Sequence, residues 1–282
     1  MAVQCLWVVL LVGVLALHAG RPASGASTAP RKNDIVPFIV GGDDAEPGEF
    51  PEVVSIQIQS PDGTFQHLCG GFIIDKEWIV TAGHCLDHFG VGRIDPAAVS
   101  VLAGANDLSQ PGMLSYRTGI AGYEIHEDYD PDQGISIEND IALINLPEPL
   151  PLNAYIQEAT LQHRTPQPGA TAQVAGWGQT SNDNLEASNT LQWTSLGIVS
   201  KADCQNALDG FATILDDQLC AASSDGLEAE CKGDSGGALI VDKMVVGIVS
   251  WSKKPCGKYP GVFASVPKHL PWIREKSGLD YL

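Results

Sequence analysis

The feature that most constrains the fold is a succession of short apolar segments separated by turn-forming residues. The segments are rich in Val, Ile and Leu, and Gly, Pro, Asn or Asp lies between most of them. Short β-rich runs with frequent turn residues are typical of all-β barrels and sandwiches. We therefore predict strands at residues 53–59, 68–74, 78–82, 99–104, 141–146, 171–176, 191–199, 218–222, 238–241, 244–251 and 262–266.

Two segments depart from this pattern. Residues 150–169 are rich in proline and lack period-two alternation, so we interpret them as the connection between two halves. Residues 267–276 are the only predicted helix, because Leu270 and Ile273 lie three residues apart and Gly278 follows as a stop. With 282 residues, 44% of them hydrophobic, the chain is long enough for one large all-β domain or two small ones.

The N-terminal segment and the overall charge limit the cellular compartment in which the protein is found and the classes of partner that it can bind. Residues 6–17 form an apolar run too short to span a bilayer, and small residues follow as far as Ala26. This pattern predicts a secretory signal peptide at 1–25 and an extracellular protein, with no membrane partner. The formal net charge of -18 repels phosphate, so nucleic acid is excluded as a partner.

Cysteine usage agrees with an oxidising compartment. Cys5 falls within the predicted signal peptide, which leaves six cysteines in the mature chain. An even number in a secreted chain predicts three disulfides, although spacing alone leaves their pairing open. A metal site is disfavoured because no Cys-x-x-Cys pair or histidine cluster accompanies them. The six are Cys69, Cys85, Cys204, Cys220, Cys231 and Cys256.

The residues most suggestive of chemistry lie at 230–238, where Ser235 follows Asp234 and is flanked by glycines. Taken alone, this segment is by default interpreted as a Gly-Ser turn without a catalytic role. A serine nucleophile needs a base and a group that orients the base. Two segments offer them, since His84 follows an apolar strand and Asp140 precedes another. Five other histidines lack such context and are predicted to lie at the surface: His67, His88, His126, His163 and His269.

Together these segments resemble the trypsin/chymotrypsin family of serine endopeptidases, over essentially all residues from Ile39 to the C-terminal helix. The triad order His, Asp, Ser is the one found in chymotrypsin. The resemblance implies two six-stranded antiparallel β-barrels with a C-terminal α-helix. It places a propeptide at 26–38 and a protease domain at 39–282, with barrels at about 39–150 and 165–266 and the helix at about 267–277. The supporting motifs lie at 39–42, 69–71, 175–178 and 247–251.

The resemblance also assigns roles to single residues. Ser235 is the nucleophile, His84 is the general base and then acid, and Asp140 orients the imidazole. The backbone N–H groups of Gly233 and Ser235 form the oxyanion hole. Ser250 bonds Asp140, and residues 250–252 pair with the substrate backbone. The implied disulfides are Cys69–Cys85, Cys204–Cys220 and Cys231–Cys256.

By the same resemblance the protein is a zymogen. Cleavage between Phe38 and Ile39 frees an α-amino group that pairs with Asp234 and orders the site. Trypsins are commonly activated after Lys or Arg, whereas Phe38 favours an activator that cuts after large apolar residues, including the enzyme itself. A cut at Arg31-Lys32 is the alternative, but it leaves Ile39 blocked and needs a second trim.

The resemblance places Ala229 at the floor of the specificity pocket, where trypsins have an aspartate. Ser252 and Gly261 form its walls, and Phe263 lies deeper. These residues predict cleavage after Phe, Tyr, Leu or Met. Glu230 is the complication, because its carboxylate favours basic side chains unless it is protonated or turned away. The remaining residues assigned to substrate binding are Lys232, Ser250 and Trp251.

No cofactor or metal is expected, since Asp107 alone remains of the carboxylates that form the calcium loop of vertebrate trypsins. The expected partners are protein or peptide substrates, an activating protease and protein protease inhibitors, and the enzyme is expected to be a monomer. Two functions stay open beside the apolar-specific endopeptidase. They are trypsin-like cleavage through Glu230 and a non-catalytic, protease-like binding protein. The intact set of His84, Asp140 and Ser235 disfavours the latter.

Overall fold

The computed structural model describes residues 39–87, 92–131, 135–183 and 186–282. The predicted signal peptide and propeptide therefore lie outside the described residues, as does His88. The described part folds mainly into β-strands arranged in two sheets, which confirms the predicted all-β class. The strands of the first sheet are β2 (Val53–Gln59), β3 (Phe65–Asp75), β4 (Trp78–Thr81), β5 (Val99–Ala103), β6 (Tyr116–Gly119), β7 (Gly122–Ile125) and β8 (Ala142–Asn145).

The first sheet is antiparallel and follows the order β6-β5-β2-β3-β4-β8-β7. Its two edge strands, β6 and β7, are consecutive in the chain and are joined only by Ile120 and Ala121. The Ala121 N–H donates to the carbonyl of Asn145 in β8 at 2.9 Å. The sheet therefore curls until β6 and β7 approach each other at this short connection, but the two strands do not pair, so the sheet is a half-barrel and not a closed barrel.

The second sheet contains a closed barrel of six antiparallel strands. Its order is β11-β10-β13-β14-β15-β12, and β12 pairs back onto β11 to complete the ring. The short strands β1 and β9 add to its outside, β1 on β11 and β9 on β14. The strands are β1 (Asp43–Asp44), β9 (Thr160–Leu161), β10 (Thr171–Gly176), β11 (Gln192–Val199), β12 (Gln218–Ala222), β13 (Ala238–Val241), β14 (Met244–Ser252) and β15 (Gly261–Ser265).

The described part of the chain contains few helices, and most are short. They are α1 (Gly83–Leu86), α2 (Lys201–Ala207) and α3 (Val266–Ser277), with a 3₁₀ turn at Pro96–Ala98. Helix α3 is the predicted C-terminal helix, and it ends at Gly278, which adopts a left-handed φ of 71°. Within the described ranges, no helix has both the length and the apolar character needed to cross a membrane.

The prediction that only the C-terminal segment is helical was wrong for the four-residue α1 and for α2. The Ser200 hydroxyl accepts a hydrogen bond from the N–H of Asp203, and Asp203 places a carboxylate in the first turn. Both are N-terminal helix features readable from the sequence. Helix α2 also carries Cys204, which bonds Cys220 in β12 and fastens the helix to the barrel.

Candidate active site

The pairing of two strands in the first sheet brings His84 and Asp140 together. Strands β4 and β8 are antiparallel with Thr81 opposite Ala142, so the residues just after β4 lie beside those just before β8. The Nδ1 atom of His84 lies 2.8 Å from Oδ2 of Asp140, and the His84 backbone N–H donates to Oδ1 at 2.9 Å. Both side chains are buried. Because Nδ1–H donates to the carboxylate, the neutral imidazole has its proton acceptor at Nε2.

Asp140 remains ionised although it is buried. Burial by itself raises the pKa of its carboxyl, but the charge of His84 and hydrogen bonds from His84 and Ser250 outweigh burial and hold the pKa below its usual range. The Ser250 hydroxyl, from β14 of the second sheet, donates to Oδ2 of Asp140. The carboxylate can therefore orient an imidazole and stabilise an imidazolium.

Ser235 lies on the loop before β13 and packs against the residues that precede His84. Its carbonyl accepts a hydrogen bond from the N–H of Gly70 in β3 at 2.8 Å. The next residue, Gly236, has φ of 80°, and a Cβ on it would overlap the Thr81 hydroxyl. Glycine is required here for both reasons. The loop from the second sheet is thereby fastened to the first sheet beside His84.

The orientation of two backbone N–H groups on this loop is fixed by hydrogen bonds to the carbonyl groups of the same peptide units. The carbonyl of Lys232 accepts from the N–H of Gln179 at 2.8 Å, and the carbonyl of Asp234 accepts from the N–H of Gly237 at 3.0 Å. In a trans peptide the N–H points opposite to the carbonyl. The N–H groups of Gly233 and Ser235 therefore point away from these partners, as two donors for an anion require.

His67 contributes to the same loop, which the sequence did not reveal. Its Nε2 lies 2.9 Å from the Gly233 carbonyl and its Nδ1 lies 2.8 Å from the Ser55 hydroxyl. Because a carbonyl only accepts, Nε2 donates and Nδ1 accepts from Ser55. Burial lowers the pKa of His67 to about 4, against the opposing effect of the Gly233 bond. His67 is therefore a neutral brace for Gly233, and predicting it at the surface was wrong.

The prediction was also wrong for His269, which is buried in α3 and bonds the Ser265 carbonyl through Nδ1 at 2.8 Å. His126 is half-buried and its ring stacks on Trp272 with centroids 5.0 Å apart. Only His163 of the described members of that group is exposed.

Asp234 is a fully buried carboxyl held by backbone N–H groups alone. Gly178 donates to Oδ1 at 2.8 Å and Cys231 donates to Oδ2 at 2.9 Å. Burial raises its pKa to about 6, although both hydrogen bonds act in the opposite direction. Among the described residues, no Lys, Arg or His nitrogen lies within 4.0 Å of this carboxyl. A cation placed beside it would gain a strong and poorly solvated partner.

The segment that begins at Ile39 packs beside this loop. Ile39 is completely buried, and the carbonyl of Val40 accepts from the N–H of Ala229 at 3.0 Å. Gly41 has φ of 87°, and a Cβ there would approach the Leu227 carbonyl to 2.7 Å. The start of the described chain is thus fitted closely against residues 227–229.

Three of the residues predicted to form the specificity pocket, Glu230, Ser252 and Gly261, lie together. Ser252 of β14 pairs with Gly261 of β15, and Ala229, which precedes Glu230, is buried. The Glu230 carboxyl lies directly on Gly261, where a Cβ would overlap Oε1. Glu230 is 2% exposed, and neither carboxyl oxygen has a hydrogen-bond partner among the described residues. Burial, and to a smaller extent the charge of Asp234, raises its pKa to about 8.

A buried carboxyl with a raised pKa makes stability depend on pH. The folded chain holds the Glu230 proton up to about pH 8, while the unfolded chain loses it near pH 4.5. The contribution of Glu230 to the free energy of unfolding is therefore fully present below pH 4.5 and is lost as pH rises through about 8. We expect Glu230→Gln to remove a decline on the order of 4 kcal/mol.

The measurement is the free energy of unfolding in urea from pH 5 to 8, in a Ser235→Ala background that prevents self-digestion. The Glu230→Gln variant should give a flatter curve and the larger advantage at pH 8. Identical slopes in both proteins would show that Glu230 does not stay protonated in the folded chain.

The cysteines near the site are paired and do not form a metal centre. In the described part of the chain, one group of three side chains has metal-ligand spacing: Cys69, His84 and Cys85. The two sulfur atoms form a disulfide with each other, so neither is a thiolate. A further bridge joins Cys231 to Cys256 beside the Ser235 loop. The three disulfides are those that the family resemblance implies.

Comparison with known proteins agrees with this geometry. The sequence model described as Trypsin matches residues 39–273. Trypsin iota of Drosophila melanogaster is 36% identical over 238 residues, which cover 83% of this chain and 86% of that protein. Glandular kallikrein-10 of Rattus norvegicus is 32% identical over 247 residues, or 84% and 88% of the two chains. The chain belongs to the trypsin family and is a serine endopeptidase.

Proposed function

We propose that the protein is a secreted zymogen whose active form cuts peptide bonds after large apolar residues through an acyl-enzyme. The catalytic mechanism is supported by a buried chain of hydrogen bonds that runs from Ser250 through Asp140 to His84. This chain lies beside the loop that holds Ser235. It supplies an ionised orienting group, an imidazole with its acceptor at Nε2, and a hydroxyl on an adjacent turn.

The proposed reaction has two halves. The Ser235 Oγ attacks the substrate carbonyl while its proton passes to Nε2 of His84, and the imidazolium then protonates the departing amine as the C–N bond breaks. Water attacks the resulting ester by the same route, giving up a proton to His84, which returns it to Ser235. The carbonyl oxygen becomes negative in both steps, and the N–H groups of Gly233 and Ser235 stabilise it, at about 3 kcal/mol per donor.

We propose that cleavage between Phe38 and Ile39 activates the enzyme. The support is the state of Asp234, a buried carboxyl with two backbone donors and a raised pKa. The new α-ammonium group of Ile39 would supply its cation. The two residues that donate to Asp234 lie next to the loop of Gly233. Cys231 comes just before this loop in sequence. Gly178 precedes Gln179, whose N–H donates to the Lys232 carbonyl. Pairing therefore stabilises the loop that carries the oxyanion donors.

The apolar preference rests on the chemistry of the pocket. Ala229 offers no charge at the floor, and Glu230 has a pKa of about 8, so its carboxyl is mainly neutral at pH 7. A neutral pocket favours apolar side chains and rejects an unpaired guanidinium. One observation favours the alternative, cleavage after Lys or Arg. The Glu230 oxygens have no partner among the described residues, and a basic side chain would ionise and satisfy them.

Kinetics on matched peptides separate these two specificities. We expect kcat/KM of the activated enzyme to be about 100-fold higher for a peptide with Phe before the scissile bond than for one with Arg. The value for the Leu peptide should be close to that for Phe, and the value for the Ala peptide should be low. Glu230→Ala should raise kcat/KM for the Phe peptide by about tenfold, because it removes a polar group from the space beside Gly261. Preference for Arg in the parent enzyme, lost in Glu230→Ala, would establish the basic specificity instead.

We also propose that residues 1–25 direct secretion and that 26–38 are released on activation. Three disulfides support an oxidising compartment. The partners that follow are an activating protease, which includes the enzyme itself, and protein inhibitors that occupy the cleft of a monomer. Mass spectrometry of secreted protein gives both cleavage positions. An active form starting at any residue other than Ile39 would contradict the proposed activation site.

A further inference from the structure

Four lysines lie around the proposed substrate cleft. Lys232 directly precedes Gly233, Lys253 and Lys254 directly follow Ser252, and Lys258 lies in the turn before β15. The chain has only 10 lysines in 282 residues, and four of them lie in this part of the surface. We call Lys232, Lys253, Lys254 and Lys258 the lysine rim.

Aromatic rings hold two of these ammonium groups in place. The Lys253 Nζ lies 4.3 Å from the centre of the Tyr259 ring and 4.8 Å from that of Phe211. The Lys258 Nζ lies 5.5 Å from the same Tyr259 ring. Cation–π contacts of this kind restrict a lysine without neutralising its charge. The two charges therefore stay available to a ligand.

The other two ammonium groups lie close enough to repel each other. The Lys254 Nζ is packed 3.2 Å from the sulfur of Cys231 and 3.3 Å from that of Cys256. Burial lowers the pKa of Lys254, and the charge of Lys232 lowers it further. Among the described residues, no carboxylate lies within 4.0 Å of any ammonium group of the lysine rim. A bound carboxylate would relieve this repulsion.

The charge of the whole chain makes this concentration of lysine significant. A protein with a formal net charge of -18 repels acidic peptides over most of its surface. A local positive region at the cleft attracts the same peptides to the one place where they can be cut. Extended polyanions are a poorer fit, because they reach beyond the rim and the net charge of the chain as a whole repels them.

Strand direction indicates which substrate residues meet the rim. A substrate segment that pairs antiparallel with residues 250–252 has its later residues beside Ser250 and its earlier ones beside Ser252. The chain continues from Ser252 directly into Lys253 and Lys254. Substrate residues more than three positions before the scissile bond therefore approach the rim.

We propose that the lysine rim binds aspartate and glutamate side chains located about four or five residues before the scissile bond. This inference rests on the proposed function, because it uses the peptide orientation that the catalytic residues define. It adds a second requirement to the apolar residue before the cut, so that the enzyme selects acidic segments that end in a large apolar residue.

The kinetic test uses two peptides that share Phe before the scissile bond and differ only at the fourth and fifth preceding residues, Asp-Asp or Ser-Ser. We expect kcat/KM to be about tenfold higher for the Asp-Asp peptide in 20 mM NaCl, and this ratio to approach one in 500 mM NaCl through screening. The double variant Lys253→Glu and Lys258→Glu should bring the ratio below one. Lys76→Glu, on the exposed turn between β3 and β4, is the matched control and should keep the parent ratio.

A binding test separates this inference from the proposed function. In the Ser235→Ala variant, fluorescence anisotropy of the two labelled peptides measures Kd without any cleavage. Tighter binding of the Asp-Asp peptide, weakened in Lys253→Gln with Lys258→Gln, supports the rim even where neither peptide is cut by the parent enzyme. Equal Kd values for both peptides would overturn it, as would a sulfated oligosaccharide that binds the rim while the acidic peptide shows no preference. Thermal melting establishes that each variant is folded.

Discussion

Replacement of Ser235 by alanine is expected to lower kcat by about 10⁵- to 10⁶-fold in the activated enzyme while peptide affinity stays close to that of the parent. The variant loses the proposed nucleophile, the Ser235 Oγ, but it retains the backbone N–H groups at positions 233 and 235. Residual hydrolysis should come from these donors and from binding alone. The measurement is single-turnover cleavage of a Phe peptide, with protein concentration fixed by absorbance.

Two further variants test whether these residues act as a unit. Adding His84→Ala to Ser235→Ala should cause little additional loss, because the base has no hydroxyl left to activate. Asp140→Asn should lower kcat by about 10⁴-fold, since it reverses the tautomer that the carboxylate imposes on His84. Ser224→Ala, at an exposed loop serine, is the control and should match the parent. More than about 1% of the parent kcat in Ser235→Ala would require another nucleophile.

The parts of the fold that sequence predicted well are those fixed by local pattern. The bounds of β2, β10, β12 and β13 are those predicted, because each is a short apolar run ended by turn residues. The strands that were missed, β1, β6, β7 and β9, have two to four residues and mostly exposed or half-buried side chains. Such short strands form because a neighbouring strand has free backbone groups with which they pair, and the residue pattern of the short strand itself does not show this.

The same distinction applies to the site. His84, Asp140 and Ser235 were predicted as catalytic residues because each belongs to a recognisable local segment. His67 was missed because its partners, Ser55 and the Gly233 carbonyl, are 12 and 166 residues away, so nothing near it in sequence marks its role. The position of the Glu230 carboxyl was also beyond sequence. It depends on Gly261, which is brought alongside by the pairing of β14 with β15.

The second large effect is expected at Asp234, which takes no direct part in bond cleavage. Asp234→Asn should lower kcat/KM of the cleaved enzyme by about 10²- to 10³-fold. Breaking a buried ion pair costs about 3–5 kcal/mol, and in the proposed activation that energy orders the loop of Gly233 and Ser235. Asparagine keeps the shape but accepts from only one of Gly178 and Cys231, because its amide nitrogen is a donor, so the loss reports the missing charge together with one lost hydrogen bond. An N-terminal sequence starting at Ile39 must first establish that the variant has been cut.

The informative comparison is between cut and uncut chains. In the parent, cleavage should raise activity steeply, whereas in Asp234→Asn both forms should show the low activity of the uncut chain. The control is Asp107→Asn, since Asp107 also accepts backbone hydrogen bonds, from Ser109 and Gln110, but lies on an exposed loop. That variant should activate normally. Full activation of Asp234→Asn would mean that Ile39 orders the site by packing alone, as its complete burial would then explain.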